Sequence, residues 1–515
     1  MGRGRPVDGT PVVGGIDPTA AGRGGAVTGS RPMKILFTAS EAWPLVKTGG
    51  LGDVAHGLTH ALRERRHDVR LLLPAHPDAV AGLEGRIRRH ALTLDQRPFT
   101  LIEGRLPGTR VTTWLLDDPP LFARAGNPYT TEDGDPWPDN ARRYHRLSRV
   151  AAALAAGELL PWQAAVLHAH DWQTALAPFL LQRRPVPRPA TVFTIHNLAY
   201  RGLFPAETHT RLGLPPEAWT PEGLEFHGRL AFIKGGLAYA DAITTVSPTY
   251  AREIQTPAFG CGLDGLLRHR SGVLHGIVNG IDTTVWNPAA DPHLAACYRK
   301  PDPAARAANR AALAQRIGLD GDTGERSGPL LGFVGRLVEQ KGVDLILAAL
   351  PRLLAGGARL ALLGSGEREL EEALRQAARH YPGRVGVHIG YDEGLAHLIE
   401  GGCDLFLMPS RFEPCGLNQL YSLRYGTPPV VTATGGLADT VMDVDTDPTA
   451  GNGFHLPAAN AGALAATVER ATAHWRRPAA WKRIQARGMG GDYSWDASAE
   501  AYLRLYRNTP GNNGS

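Results

Sequence analysis

The chain has 515 residues, of which 43% are hydrophobic, 20% charged and 7% aromatic, with a formal net charge of +5. That length accommodates two to four domains with large buried cores. Basic residues are dispersed without aromatic interleaving, which argues against nucleic acid as a partner, and no apolar run approaches the roughly 18 residues of a membrane span.

Residues 1–32 contain nine Gly and four Pro, few large apolar side chains and no signal-peptide core. They are expected to be a disordered tail, or residues ahead of a start at Met33. From Met33 onward, short apolar runs alternate with longer helical patterns. The runs are Ile35–Phe37, Val69–Leu73, Val111–Leu116, Ala165–Leu167, Thr191–Ile195, Ala242–Val246 and Leu274–Val278. A second series follows: Leu330–Val334, Leu360–Leu363, Val385–Ile389, Leu405–Met408 and Pro429–Val431. Continuous apolar runs between helices indicate parallel strands covered on both faces. Two such series predict an α/β protein of two doubly wound, Rossmann-like domains.

The break is expected at Pro288–Pro303, which gives domains over 33–288 and 289–490. Asp302 and Pro303 are placed to cap a helix over Ala304–Ile317. A polar loop, Asp320–Gly328, precedes the second sheet, an amphipathic stretch from Trp495 to Tyr506 closes the chain, and disorder is expected beyond Asn508. Cys261, Cys297, Cys403 and Cys415 show no metal spacing and fit a reduced cytoplasm. Asp443–Val444–Asp445 lies in a Pro/Asp/Gly-rich stretch and is expected to be a solvated loop.

In open α/β sheets, ligands bind outside the carboxyl ends of the strands. Polar residues of this chain gather there. Glu41, Lys47, Gly49, Gly50, Gly52 and Asp53 follow the first strand, on a turn that directs N–H groups at an anion, the glycines allowing close approach or positive φ. His170 and Asp171, then His196 and Asn197, Ser247, and Asn279 with Asp282 follow later strands. In the second series the positions are taken by Arg336 with Lys341, Gly364–Gly366, Tyr391, Ser410–Gly416 and Thr434–Leu437. Two such edges can face each other across a cleft. Lys47, Arg336 and Lys341 would there surround a diphosphate, and fixed positive charge lowers the barrier to a departing nucleoside diphosphate. Glu413 offers an acceptor to sugar hydroxyls, and the N–H groups of Cys415 and Gly416 offer donors.

These segments resemble bacterial glycogen synthases and plant starch synthases, ADP-glucose-dependent glucosyltransferases of the two-Rossmann GT-B fold. The matching motifs are Lys47–Asp53, His168–Trp172, Thr194–Asn197, Val246–Glu253, Val278–Asp282, Gly335–Leu337, Gln340–Gly342, Ser410–Gly416 and Thr434–Thr440. They keep family order over roughly residues 33–507. The resemblance implies catalytic roles for Lys47, His196, Arg336, Lys341 and Glu413. It implies substrate binding by Lys47, Gly49, Gly50, Glu41, Asp53, Asp171, Asn197, Asn279, Tyr391, Cys415, Gly416, Thr434 and Gly435. Tyr391 would stack near adenine, and His196 would lie beside the reacting sugar with its carbonyl near the anomeric carbon. The reaction implied is transfer of glucose from ADP-glucose to the non-reducing end of an α-1,4-glucan, with retention and with neither metal nor cofactor. A terminal helix over 491–508 would return to the N-terminal domain.

Three positions depart from relatives. Gln173 and Asn418 stand where others carry His and Thr. Tyr421, eight residues after Glu413, stands where many retaining GT-B enzymes place a second Glu, in keeping with the glycogen synthase branch. A UDP-glucose-using or other-acceptor transferase and a non-catalytic glucan-binding relative stay open as alternatives. An α-glucan phosphorylase would need a Schiff-base lysine motif, and none is found.

Overall fold

The computed structural model describes residues 31–509 and 511, apart from 125, 185, 186 and 321–327. Residues 1–30, 510 and 512–515 of the stretches expected to be disordered, and most of the loop Asp320–Gly328, therefore lie outside the described residues, whereas Thr509 is buried and donates to the Leu505 carbonyl at 2.8 Å.

The first half builds a nine-stranded sheet. Its strands are Lys34–Thr38 (β1), Asp68–Pro74 (β2), Glu84–Leu94 (β3), Arg97–Arg105 (β4), Thr112–Asp117 (β5), Val166–His170 (β6) and Ala190–Ile195 (β7). A small antiparallel sheet of Leu203–Pro205 (β8), Glu225–Phe226 (β9) and Arg229–Ala231 (β10) interrupts the series, and Ala242–Thr245 (β11) and Leu274–Gly276 (β12) complete it. The strand order is β12-β11-β7-β6-β1-β2-β5-β4-β3. Pairing is parallel from β12 to β5 and antiparallel only for β5-β4-β3. The β3–β4 hairpin is absent from the expected runs because β3 alternates Arg and apolar residues along an exposed edge, a pattern with no continuous apolar stretch.

The second half forms a wholly parallel sheet from Leu330–Leu337 (β13), Arg359–Gly366 (β14), Val385–Ile389 (β15), Leu405–Met408 (β16), Pro429–Thr432 (β17) and Phe454–Leu456 (β18), ordered β15-β14-β13-β16-β17-β18. This is the dinucleotide-fold order, in which the chain reverses direction across the sheet beside its first strand. The reversal places the loops after β13 and β16 side by side. In the first sheet β1 lies between β2 and β6, so the loops after β1 and β6 adjoin in the same way.

Helix Pro303–Ile317 begins where Asp302 accepts from the amides of Ala304 (3.0 Å) and Ala305 (3.2 Å), and it ends on Gly318 in left-handed conformation. Helix Trp495–Asn508 crosses back onto the first sheet. Trp495, Ala499, Tyr502, Leu503 and Tyr506 join the core of Ile35, Phe37, Val54 and Leu58. Gly57 makes this docking possible, because a Cβ there would lie 1.9 Å from the Trp495 indole nitrogen.

Candidate active site

The turn after β1 is held from behind by Glu41. Its carboxylate, 3% exposed, accepts from the amide and hydroxyl of Thr48. Burial pushes its pKa up to about 7 against the pull of these hydrogen bonds. Lys47 reaches over the first turn of helix Gly50–Glu64 to Asp53, at 2.8 Å. Burial raises the Asp53 carboxyl and Lys47 lowers it. Gly52 leaves room for the lysine stem, since a Cβ would lie 3.3 Å from Lys47 Cγ. Neither Gly49, Gly50 nor Gly52 has positive φ. Close approach within the protein is realised at Gly52, and the alternative of a left-handed backbone is realised at none of the three.

Asp171, itself in left-handed conformation at φ 54°, accepts from the backbone N–H of His196 at 2.8 Å and also binds the Asn197 amide. Burial raises its pKa to about 7. It thereby anchors the turn after β7 from the neighbouring strand end. The His196 ring pairs with His170 (Nε2 to Nδ1, 2.9 Å), which in turn stacks on Phe37. Burial pushes His196 down to about 3, so the imidazole is neutral and can orient a hydroxyl without carrying charge. The Asn197 side chain closes its own turn by accepting from Ala199, 3.0 Å away. Asn279 contacts the Cys415 sulfur through backbone and side chain, while its own Oδ1 is buried without a protein donor.

On the opposite wall, Lys341 and Glu413 come from the loops after β13 and β16. Seventy-two residues apart, they meet at 2.5 Å, and Ser410 Oγ adds a 3.2 Å hydrogen bond to the same carboxylate oxygen. Arg336 is exposed, 3.5 Å from Gln340 Oε1, and Glu339 lies instead beside Arg411. Gly416 requires glycine, being at φ 74° where a Cβ would press on Gln419. Cys415 is buried and its thiol is pushed up to about 12, which rules out a resting thiolate nucleophile. Tyr391 is 83% exposed and donates to Glu393. The two walls meet where Gly50 lies against Leu417, a glycine Cβ falling 4.0 Å from the leucine methyl.

One expectation changes in part. The stretch around Asp443–Asp445 is a loop and Asp445 is exposed, paired with Arg470 and His474, but Asp443 is not solvated: 5% exposed, it pairs with Arg470 at 2.9 Å. Thr434 and Gly435, expected to bind substrate, also donate to a protein carboxylate. The Thr434 hydroxyl and Gly435 N–H donate to Glu253 at 2.9 and 3.0 Å.

Several contributors escape a reading by motif. Tyr421, in place of the second Glu, stacks on Trp286 at 3.8 Å, and His397 stacks on its other face at 3.9 Å. Burial opposes the charge on His397, but Asp291 and Glu393 hold its pKa up to about 9. Glu393 is drawn down to about 2 by His397 and Tyr391. Asn418, where relatives have Thr, donates to the Val334 carbonyl at 2.6 Å and ties its helix to β13. Trp286 lies just ahead of the Pro/Asp/Ala-rich connection, in a stretch without helix or strand where no periodicity marks it. Among the described residues no group of three or more His, Cys, Asp or Glu could hold a metal ion.

Two doubly wound sheets that present lysine, arginine and carboxylate loops at their carboxyl ends define a glycosyltransferase of the GT-B class. Residues 34–269 match the starch synthase catalytic domain and residues 322–487 match glycosyl transferases group 1. The chain is 70% identical to a glycogen synthase of Halorhodospira halophila over 92% of this chain and 98% of that one. It is 53% identical to a glycogen synthase of Cellvibrio japonicus over 92% and 99%. The catalytic domain of starch synthase IV from Arabidopsis thaliana, bound to ADP and acarbose, superposes with a TM-score of 0.82 at 33% identity, covering 93% of this chain and 99% of that chain. The chain belongs to the glycogen synthase family of glucosyltransferases.

Proposed function

We propose that this cleft transfers glucose from ADP-glucose to the non-reducing end of an α-1,4-glucan with retention of configuration. The observation that carries the reading is the Lys341–Glu413 pair at the reversal point of the second sheet, with the Lys47 turn on the facing wall. ADP and acarbose in the starch synthase IV structure support the same donor and acceptor chemistry.

In this reading Lys47, Arg336 and Lys341 take up the charge that develops on the departing diphosphate. Glu413 accepts from glucose hydroxyls, the N–H groups of Cys415 and Gly416 donate to the donor, and Gly49 and Gly50 let it approach the turn. Neutral His196 orients the reacting sugar and presents its carbonyl near the anomeric carbon. Asp171 and the unpartnered Asn279 Oδ1 receive hydroxyls of donor or acceptor, with Glu41, Asp53 and Asn197 supporting that wall. Tyr391, on the open face, stacks with adenine. Walls closed around the donor exclude water and prevent its hydrolysis. No cofactor or metal takes part in the proposed reaction, and a cytoplasmic location goes with it.

The test is transfer of labelled glucose from ADP-glucose and from UDP-glucose onto glycogen. ADP-glucose is expected to be the better donor, and Lys47→Ala and Glu413→Ala are each expected to lower turnover by about 100-fold or more without unfolding the chain. Preference for UDP-glucose would overturn the donor assignment. Near-normal turnover in either variant would overturn the role of that residue.

A further inference from the structure

Glu253 ends the short helix Pro248–Glu253 that follows β11, and Asp439 lies in the last turn of helix Gly435–Thr440 that follows β17. A carboxylate in the last turn opposes the dipole of its own helix, whereas one beside a first turn is favoured. Each acid here stands at the wrong end of its own helix and at the right end of the other. Asp439 accepts from the N–H (2.8 Å) and hydroxyl (2.7 Å) of Thr249. Glu253 Oε1 accepts from the hydroxyl of Thr434 (2.9 Å) and the N–H of Gly435 (3.0 Å). The result is a reciprocal clamp between the two sheets' loops, made of charge-assisted hydrogen bonds.

The segment that Glu253 grips rests directly on Glu413. Gly435 has φ 45°, and a Cβ on it would fall 1.9 Å from the Glu413 carbonyl oxygen; one on Gly436 would fall 2.1 Å from that of Cys415. The Gly436 N–H donates to the Glu413 and Pro414 carbonyls at 3.2 and 3.1 Å. No side chain intervenes, so a shift of Thr434–Gly436 is passed to the backbone of Glu413 without slack. Among the described residues Glu253 Oε2 is buried with no hydrogen-bond partner, so both of its protein hydrogen bonds fall on Oε1.

We propose that Glu253 is a positioning residue for glucosyl transfer. From the first sheet it fixes the Thr434–Gly436 turn, and through that turn it sets where Glu413 meets the donor sugar opposite Lys47. The inference rests on the transfer reaction proposed above, and it gives the Val246–Glu253 motif a function that the donor and acceptor contacts leave unassigned.

The test compares the full-length parent with E253A and E253Q by steady-state kinetics on ADP-glucose and glycogen, thermal melting and amide hydrogen exchange without substrate. Misplacement of a positioned group by about 1 Å costs up to about 100-fold, so E253A is expected to lower kcat by about 10- to 100-fold per folded molecule. KM for ADP-glucose is expected to stay within about threefold, and E253Q, whose amide oxygen still accepts, to recover to within about fivefold of the parent. Exchange over residues 410–417 and 434–437 is expected to rise in E253A. Activity per folded molecule within about twofold of the parent, or unchanged exchange in those segments, would overturn the proposal. If E253A does not fold, E253D takes its place: one methylene shorter, it keeps the charge but loses the reach, and full activity in it would equally overturn the clamp. Absence of transfer by the parent would count against the proposed reaction, and the exchange comparison then decides the clamp alone.

Discussion

Glu41 and Asp171 show how a residue can be kept in an unfavourable state for the sake of a site. Both are carboxylates whose pKa burial lifts to about 7; Glu41 adds to the rise of Asp171, and Asp53 to that of Glu41. A folded-state value above the unfolded one means that the folded chain binds more protons between the two, so stability falls as pH rises from about 4.5 towards about 7 for Glu41. The whole penalty stands above that range. Glu41→Gln removes the charge and keeps an acceptor for Thr48, so its melting temperature is expected to gain on the parent at about pH 8 and to match it at about pH 4. The same variant is expected to turn over more slowly. An equal offset in melting at both pH values would show that burial of the charge is not the cause.

At the scale of elements, the terminal helix is held by shape. Gly57 is the only kind of residue that fits under Trp495 in helix Gly50–Glu64, and Ser498 adds a 2.6 Å hydrogen bond to the Val278 carbonyl. Overpacking such a contact costs about 1–3 kcal/mol. Gly57→Ala is therefore expected to destabilise the chain by that amount in chemical denaturation, and Trp495→Ala to relieve most of the cost of the added methyl in the double variant. Strictly additive effects would place the strain elsewhere. Elements were legible where burial is two-sided: β6 and β7 are buried at every position, and β7 and the start of β6 read as short apolar runs. The edge hairpin β3–β4 and the three-residue β18 lack that signature and stayed hidden. Asp443 misled for a related reason, since a short acidic segment looks solvated until Arg470 is brought to it from a helix 27 residues on.

For the molecule as a whole, the two sheets bury separate cores, one centred on β1 and the other on β13. Chains built in this way depart from two-state unfolding, and two overlapping calorimetric transitions are expected. ADP at about 100 times its Kd stabilises whatever part binds it by about 2.7 kcal/mol. It is expected to raise the later-assigned transition of the second sheet, and Lys341→Ala to abolish most of that rise. An unshifted profile would mean that ADP does not bind the folded chain, and an equal rise in Lys341→Ala would place its binding outside this cleft.

The sequence by itself determined the parallel cores of the two sheets, the family, and the loops at the strand ends, because apolar runs, capping residues and glycine-rich turns are local and survive reading in one dimension. Only the tertiary structure decided which loops touch. Lys341 reaches Glu413 because strand order sets their loops side by side, and Glu253 takes the hydroxyl and amide of Thr434 and Gly435 because two helices from different sheets lie side by side and antiparallel. A contact across 72 or 181 residues leaves no periodic trace in the chain. It exists as a consequence of how separately encoded elements pack.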